Sequence, residues 1–208
     1  MTATRSARDI ASALRAAFPA TDVGPEAPLR ARLAERAAQE GLLDVAYRTL
    51  DTPVGELLLA ASPAGLVRIA YAREGPDAVL ERLAAELSPR ILRAPARLDD
   101  AARQLDEYFA RRRRAFELPL DLRLAHGFRR TVLRRLLQIG YGATASYASV
   151  ARAAGSPAAV RAVGTACARN PLALVVPCHR VIRSDGTLGE YGGGRAAKQA
   201  LLALEAGA

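Results

Sequence analysis

"SYASVARAAGSPAAVRAVGTACARNPLALVVPCHRV", residues 146–181, is the most informative part of the chain. Its first half reads as two short helices joined through Gly155-Ser156-Pro157, a helix-turn-helix pattern. Ser146 is placed to cap the first helix. Ser156 and Pro157 are placed to cap and open the second, which runs to about Arg169 before Asn170-Pro171 stops it. The second helix has small side chains at Ala158, Ala159, Ala162, Gly164, Thr165 and Ala166. Val160, Val163 and Cys167 form its apolar stripe, which turns Arg161 outward. Such a slim helix suits either tight packing or a close approach to a nucleic-acid groove.

The second half holds Cys178 and His179, one of two cysteines and one of two histidines in 208 residues. Pro177 restricts Val176 to extended geometry, so Cys178 is expected to leave a strand-like segment. Neighbours in a strand point to opposite faces, so thiol and imidazole should not touch unless the backbone turns sharply there. That argues against a cysteine hydrolase, in which the two meet directly. An activated thiol still needs a base, because at its free pKa of about 8.5 only a few per cent is ionised. The last helix offers a carboxylate to orient that base. Glu205 lies four residues after Leu201, on an apolar face where it would need a partner such as His179. The other reading leaves Glu205 exposed near the terminus.

Charge points the same way as the small-residue helix. Residues 1–120 carry 18 Lys/Arg against 17 Asp/Glu, and residues 121–208 carry 12 against 4. The excess in the second half favours a polyanionic partner, nucleic acid first. Apolar runs fall short of the ~20 residues of a membrane span, and "MTATRSARDIASALRAAF" has no apolar core of a secretion signal. A reducing cytoplasm is the expected compartment. Two cysteines and two histidines argue against a structural zinc site.

Upstream, residues 5–18 and 26–40 read as helices, the second with Leu29 and Leu33 at helical spacing. Strand-like runs at 45–50, 55–61 and 65–72 suggest an antiparallel meander, followed by helices near 76–87 and 97–112. The expected organisation is a helical extension (1–43), a sheet domain (44–120) and a mainly helical domain (121–208). A further helix over 127–139 presents Phe128, Val132, Leu136 and Ile139 on one face.

Residues 128–207 closely resemble O6-alkylguanine-DNA alkyltransferases. Arg-Ala-Val-Gly (161–164), Asn-Pro (170–171), Pro-Cys-His-Arg-Val (177–181) and Tyr-x-Gly-Gly (191–194) occur in order. The resemblance implies an α+β fold, with an RNase H-like sheet domain before a helix-turn-helix alkyl-acceptor domain; residues 1–43 lie outside it. It implies direct-reversal repair, in which Cys178 takes the alkyl group irreversibly from guanine O6, once per molecule. O4-alkylthymine is a further substrate in prospect. His179 would be the base, acting through a water, Glu205 its orienting carboxylate and Asn170 a brace. Tyr147 would protonate the leaving guanine and steady the flipped phosphate. Arg161 would fill the gap left by the extruded base, with Ser146, Ala159, Ala162 and Thr165 beside the DNA. Leu188, Gly189, Tyr191 and Gly192 would line the substrate pocket. The implied partner is double-stranded DNA containing alkylated guanine, met by a monomer without cofactor, metal or membrane. Four positions depart from the family's pattern: Leu133 for a common tryptophan, Gly140 for a proline, Gly192 for serine or alanine, and Glu190 for a small or neutral residue.

Two other classes fit less well. A non-catalytic lesion binder of this type would lack Cys178. An alkylation-responsive regulator would need a second reactive cysteine in residues 1–120, which contain none.

Overall fold

A computed structural model describes residues 27–207; the helix expected over 5–18 lies outside them. The chain begins with α1 (Ala27–Gln39) and continues through β1 (Val45–Leu50), β2 (Leu57–Ser62) and β3 (Gly65–Tyr71). These three strands form the antiparallel meander expected from their turns. After α2 (Pro76–Glu86), a fourth strand β4 (Ile91–Arg93) joins parallel to β1, giving a mixed sheet ordered β3-β2-β1-β4. Three half-buried residues carry no alternation by which β4 could be read in advance. Helix α3 (Asp99–Phe109) completes this half.

The remaining elements are α4 (Gly127–Leu136), β5 (Ala145–Ser146), α5 (Tyr147–Ala153), α6 (Val160–Ala168), β6 (Val181–Ile182) and α7 (Gly194–Ala206). In α4, Val132 and Leu136 are fully buried, as their spacing predicts, and Leu133 joins them. One apolar core runs through both halves, from Leu57, Leu59 and Ile69 of the sheet to Leu133, Val163, Leu172 and Leu201.

Two helical readings change. In α1 the buried residues are Ala34 and Ala37, which pack with Leu43, Ala46 and Ala94. Leu29 and Leu33 are 73% and 59% exposed, because close docking onto the sheet selects the small-residue face. Helix α6 starts at Val160, not Pro157, and Ala159 is its cap residue, without a side-chain bond. Ser156 instead closes a turn through its carbonyl, which accepts from the Ala159 amide at 2.9 Å. The shift leaves Val160 37% exposed, so Val163, Ala166 and Cys167 form the buried stripe.

The β3 edge is covered by the second half of the chain, which answers the usual hazard of an open strand edge. The Leu66 amide donates to Pro119 O and the Asp121 amide to Leu66 O, both at 2.8 Å. The Ile69 amide donates to Pro171 O, also at 2.8 Å. Gly65 (φ +136°) permits the first approach, since a Cβ there would overlap the Pro119 carbonyl. By the second bond the sheet holds the Asn170-Pro171 turn, from which the candidate site is built.

Candidate active site

Between Asn170 and Arg180 the backbone folds through successive tight turns around one side chain. Asn170 Oδ1 accepts from the Leu172 amide at 3.0 Å, and its Nδ2 donates to Val176 O at 2.8 Å and to Cys178 Sγ at 3.1 Å. The Val175 amide donates to Ala173 O at 3.0 Å across Leu174, whose φ is +74°. That conformation is strained for a bulky residue and persists only where surroundings over-determine it. Leu174 is 1% exposed, so core packing supplies the constraint. Pro177 (φ −81°, ψ 62°) sits at the centre of an inverse γ-turn, in which the Cys178 amide donates to Val176 O at 2.8 Å. Cys178–Arg180 then forms a single 3-10 turn. The strand-like exit expected for Cys178 is therefore replaced by a sharp turn, and the opposite-faces rule does not apply to this pair.

His179 and Glu205 come together. His179 Nε2 and Glu205 Oε1 are 2.8 Å apart, and both side chains are almost wholly buried. Glu205 occupies the face of α7 that also buries Ala197, Lys198 and Leu201, which decides between its two sequence readings. Four further hydrogen bonds converge on its carboxylate. Arg180 donates through Nε to Oε2 at 2.8 Å and through Nη2 to Oε1 at 2.9 Å. Tyr108 of α3 donates its hydroxyl to Oε1 at 2.7 Å, and the Gly142 amide donates to Oε2 at 3.1 Å.

These contacts set the protonation states. Burial alone would raise the carboxyl of Glu205, but the hydrogen bonds from His179 and Arg180 outweigh it and hold it down to about 2. Burial pulls the imidazole of His179 below its ordinary value, more than Glu205 raises it. At neutral pH an ionised carboxylate thus faces a neutral imidazole. A carboxylate only accepts, so Nε2 carries the hydrogen and Nδ1 the lone pair. Nδ1 is buried and has no hydrogen-bond partner among the described residues, so it is the free basic atom of the site. Burial pushes the Cys178 thiol up, against the opposing pull of the Asn170 hydrogen bond and the Lys198 charge. The resting thiol is neutral.

Lys198 is the only lysine in a chain with 29 arginines, and it is fully buried. Its Nζ donates to Val181 O at 2.6 Å and lies 3.5 Å from Gly189 O. Burial lowers its pKa while the neighbouring thiols raise it. Tyr71, at the end of β3, bonds Tyr191 hydroxyl to hydroxyl at 2.8 Å, and its ring lies under Gly193. None of Arg180, Tyr108, Tyr71 or Lys198 was singled out by the sequence reading. The lone lysine in an arginine-rich chain was the one available signal.

Cys178 is only 3% exposed, yet it lines a cavity of about 420 Å3 together with Cys167, Asn170, Tyr71 and Gly192. Of the pocket residues expected, Gly192 lines this cavity. Tyr191 is buried in its bond to Tyr71, and Gly189 is covered by the Tyr147 hydroxyl, which a Cβ there would overlap. Leu188 is half-buried, while Glu190 is exposed in the same loop. The short β5–β6 ladder pairs Ala145 with Val181 and Ser146 with Ile182, which brings Tyr147 beside the Cys178 turn. Burial pushes the half-buried Tyr147 phenol up to about 12. Ser146 caps α5 by accepting from the Ser149 amide at 3.0 Å. Arg161, Ala162 and Thr165 are exposed along α6, and Ala159 is half-buried at its start.

Comparison with known proteins matches both halves. Residues 127–207 match the family described as 6-O-methylguanine DNA methyltransferase, DNA binding domain, and residues 45–122 match its ribonuclease-like domain. The chain belongs to the 6-O-methylguanine-DNA methyltransferase family. It is 42% identical over 161 residues to the methylated-DNA–protein-cysteine methyltransferase of Mycolicibacterium paratuberculosis, covering 77% of this chain and 92% of that protein. The crystal structure of the Mycobacterium tuberculosis O6-methylguanine methyltransferase superposes with a TM-score of 0.70 at 39% identity, over 78% of this chain and 93% of that one. A Mycobacterium tuberculosis OGT solved in complex with DNA superposes with a TM-score of 0.69, at the same identity and coverage. The family's α+β architecture, a ribonuclease-like sheet half followed by a DNA-binding half, is the one found here. Among the described residues, no helix is long and apolar enough to cross a membrane.

Proposed function

We propose that this protein repairs alkylated guanine in DNA by moving the alkyl group from guanine O6 to Cys178. The Glu205–His179 contact carries the reading, because it leaves a buried, unpaired Nδ1 as base in the same turn as a neutral thiol. In this scheme Nδ1 takes the thiol proton through a water as Sγ attacks the O6-bound carbon. The C–S bond forms while the C–O6 bond breaks. The electron pair leaves with guanine, which receives a proton from Tyr147. The thioether has no thiolate-regenerating partner, so each molecule acts once.

The target carbon lies inside duplex DNA, and flipping the nucleotide out costs a few kcal/mol. The helix-turn-helix of α5 and α6 is the proposed minor-groove element. Arg161 would fill the vacated stack, while the exposed small residues of α6 allow close approach. The excess of 12 Lys/Arg over 4 Asp/Glu in residues 121–208 supplies phosphate attraction. A monomer suffices for all of these roles.

Incubation with duplex DNA containing O6-methylguanine tests the proposal. The tryptic peptide carrying Cys178 should gain one methyl group, and Cys178→Ala should abolish the gain while still binding DNA. Folded protein that shows no mass gain with authentic substrate would reject the activity.

A further inference from the structure

Two buried tyrosines, one from each half of the chain, meet beside the imidazole of His179. Tyr71 ends β3, is 4% exposed, and its hydroxyl lies 2.8 Å from that of Tyr191. Neither hydroxyl has another hydrogen-bond partner among the described residues. The two rings meet edge to face with centroids 5.7 Å apart. Tyr191 in turn meets the His179 ring edge to face, with centroids 6.2 Å apart and planes at 79°, inside the range of attractive aromatic contact.

Tyr71 is a fixed support. Its amide donates to Glu74 Oε1 at 3.1 Å, and Glu74 is ion-paired with Arg68 of the same strand. Its ring underlies Gly193, where a Cβ would come within 2.5 Å of it. Burial pushes both phenols up, so the hydroxyl pair stays neutral and keeps its bond around neutral pH.

His179 needs such a support. Its Nε2 is tied to Glu205 at 2.8 Å, but a single hydrogen bond holds one ring atom and does not by itself set the tilt of the ring. Nδ1 has no hydrogen-bond partner among the described residues that could set it instead. A tilt that spares the Glu205 bond would swing Nδ1 out of line for the thiol proton. The Tyr191 ring opposes that tilt, and the Tyr71 hydroxyl keeps Tyr191 from turning about its own side-chain bonds. Resting on the alkyl-transfer reading above, we infer that Tyr71 is a positioning residue: through its hydroxyl bond to Tyr191 it keeps the His179 imidazole aimed for proton transfer from Cys178. Tyr71 itself neither gives nor takes a proton in the scheme.

Tyr71→Phe tests this, since it keeps the ring under Gly193 and deletes the bond. Transfer from an O6-methylguanine duplex in saturating excess is followed by the mass of the Cys178 peptide. It should be about tenfold slower near pH 7, because a misplacement of ~1 Å can cost about a hundredfold. The deficit should shrink towards pH 9, where thiolate formed without the base carries more of the reaction. The charged neighbours of His179, namely Glu205, Arg180 and Lys198, are the same in both proteins, so a changed profile reports the aim of the imidazole. Affinity for the duplex, read by fluorescence anisotropy, should not change. Tyr191→Phe should bring a similar loss. The double variant, which leaves neither hydroxyl buried and unpaired, should be no slower than either single one, because the same bond is missing from all three. A parental rate in Tyr71→Phe would overturn the inference. So would losses that add in the double variant, a weakened affinity for the duplex, or slowing by one factor at every pH, which would make the role merely structural. If the parent transfers methyl and these patterns fail, this inference falls alone; a parent that transfers none takes the repair reading with it.

Discussion

The Tyr108 hydroxyl on α3 donates to Glu205 Oε1 on α7 at 2.7 Å, joining residues 97 positions apart at the carboxylate that also orients His179. The sheet-bearing half thus supplies part of the hydrogen-bond cluster around Glu205. Tyr108→Phe removes one hydrogen bond to a buried anion, a loss of about 1.5–3 kcal/mol. The expected result is a lower thermal midpoint and slower alkyl transfer with unchanged DNA affinity. Thermal denaturation and single-turnover kinetics on one preparation check it; a variant equal to the parent in both would remove Tyr108 from that role.

Glu205 and His179 make stability depend on pH in separate windows. The carboxyl of Glu205 ionises at about 2 in the folded chain, against an ordinary value of 4.5. Between those values the unfolded chain binds more protons, so this contribution is complete above pH 4.5 and disappears as pH falls towards 2. The depressed pKa of His179 acts in the same direction, eroding stability below about pH 6.5. Glu205→Gln should flatten the acid limb of a denaturation-against-pH profile below pH 4.5. It should also cost about 3 kcal/mol or more near neutrality, because Arg180 is left without its buried counter-charge.

Reaction rate should follow the base rather than the free thiol. With the thiol pushed up and the imidazole pulled down, transfer is expected to be level from about pH 6.5 to 8.5 and to fall only under more acidic conditions. A rate climbing tenfold per pH unit across that interval would mean attack by pre-formed thiolate without help from His179.

Arg161→Ala should slow transfer from duplex DNA much more than transfer from free O6-methylguanine base, since only the duplex has a stack to refill. Parallel rate measurements on the two substrates decide it. Equal losses would give the side chain a structural role.

Lys198 offers a sharper substitution than most buried residues. Lys198→Met keeps the approximate volume but removes the positive charge that draws the thiol pKa down, so alkylation by iodoacetamide at pH 8 should slow. Lys198→Arg keeps the charge but overfills a buried site, at a cost of about 1–3 kcal/mol. Reactivity and thermal midpoint should therefore separate across the two variants.

Much of this site is visible in the linear order of residues. Asn170, Cys178 and His179 lie within nine positions of one another, whereas the helix face of Glu205 allows both a buried and an exposed position until its burial in the structure decides. Tyr71 and Tyr108 left no such trace, because they reach the site by β3 and α3 docking against the other half, at sequence separations that periodicity does not encode. The restriction of Val176 by Pro177 predicts only a strand-like approach to Cys178, while the reversal itself depends on Asn170 gathering backbone groups from both ends. Helix α1 misled for a different reason. Leucines draw the eye, yet alanines let a helix lie close to a sheet.

The bond from the Ile69 amide to Pro171 O turns one peptide hydrogen into a clock. Deuterium can replace it only when the seam parts between β3 and the Asn170 turn, the turn from which Asn170 Nδ2 bonds Cys178 Sγ. Exchange at this position therefore times how often the resting protein opens the support beneath that turn.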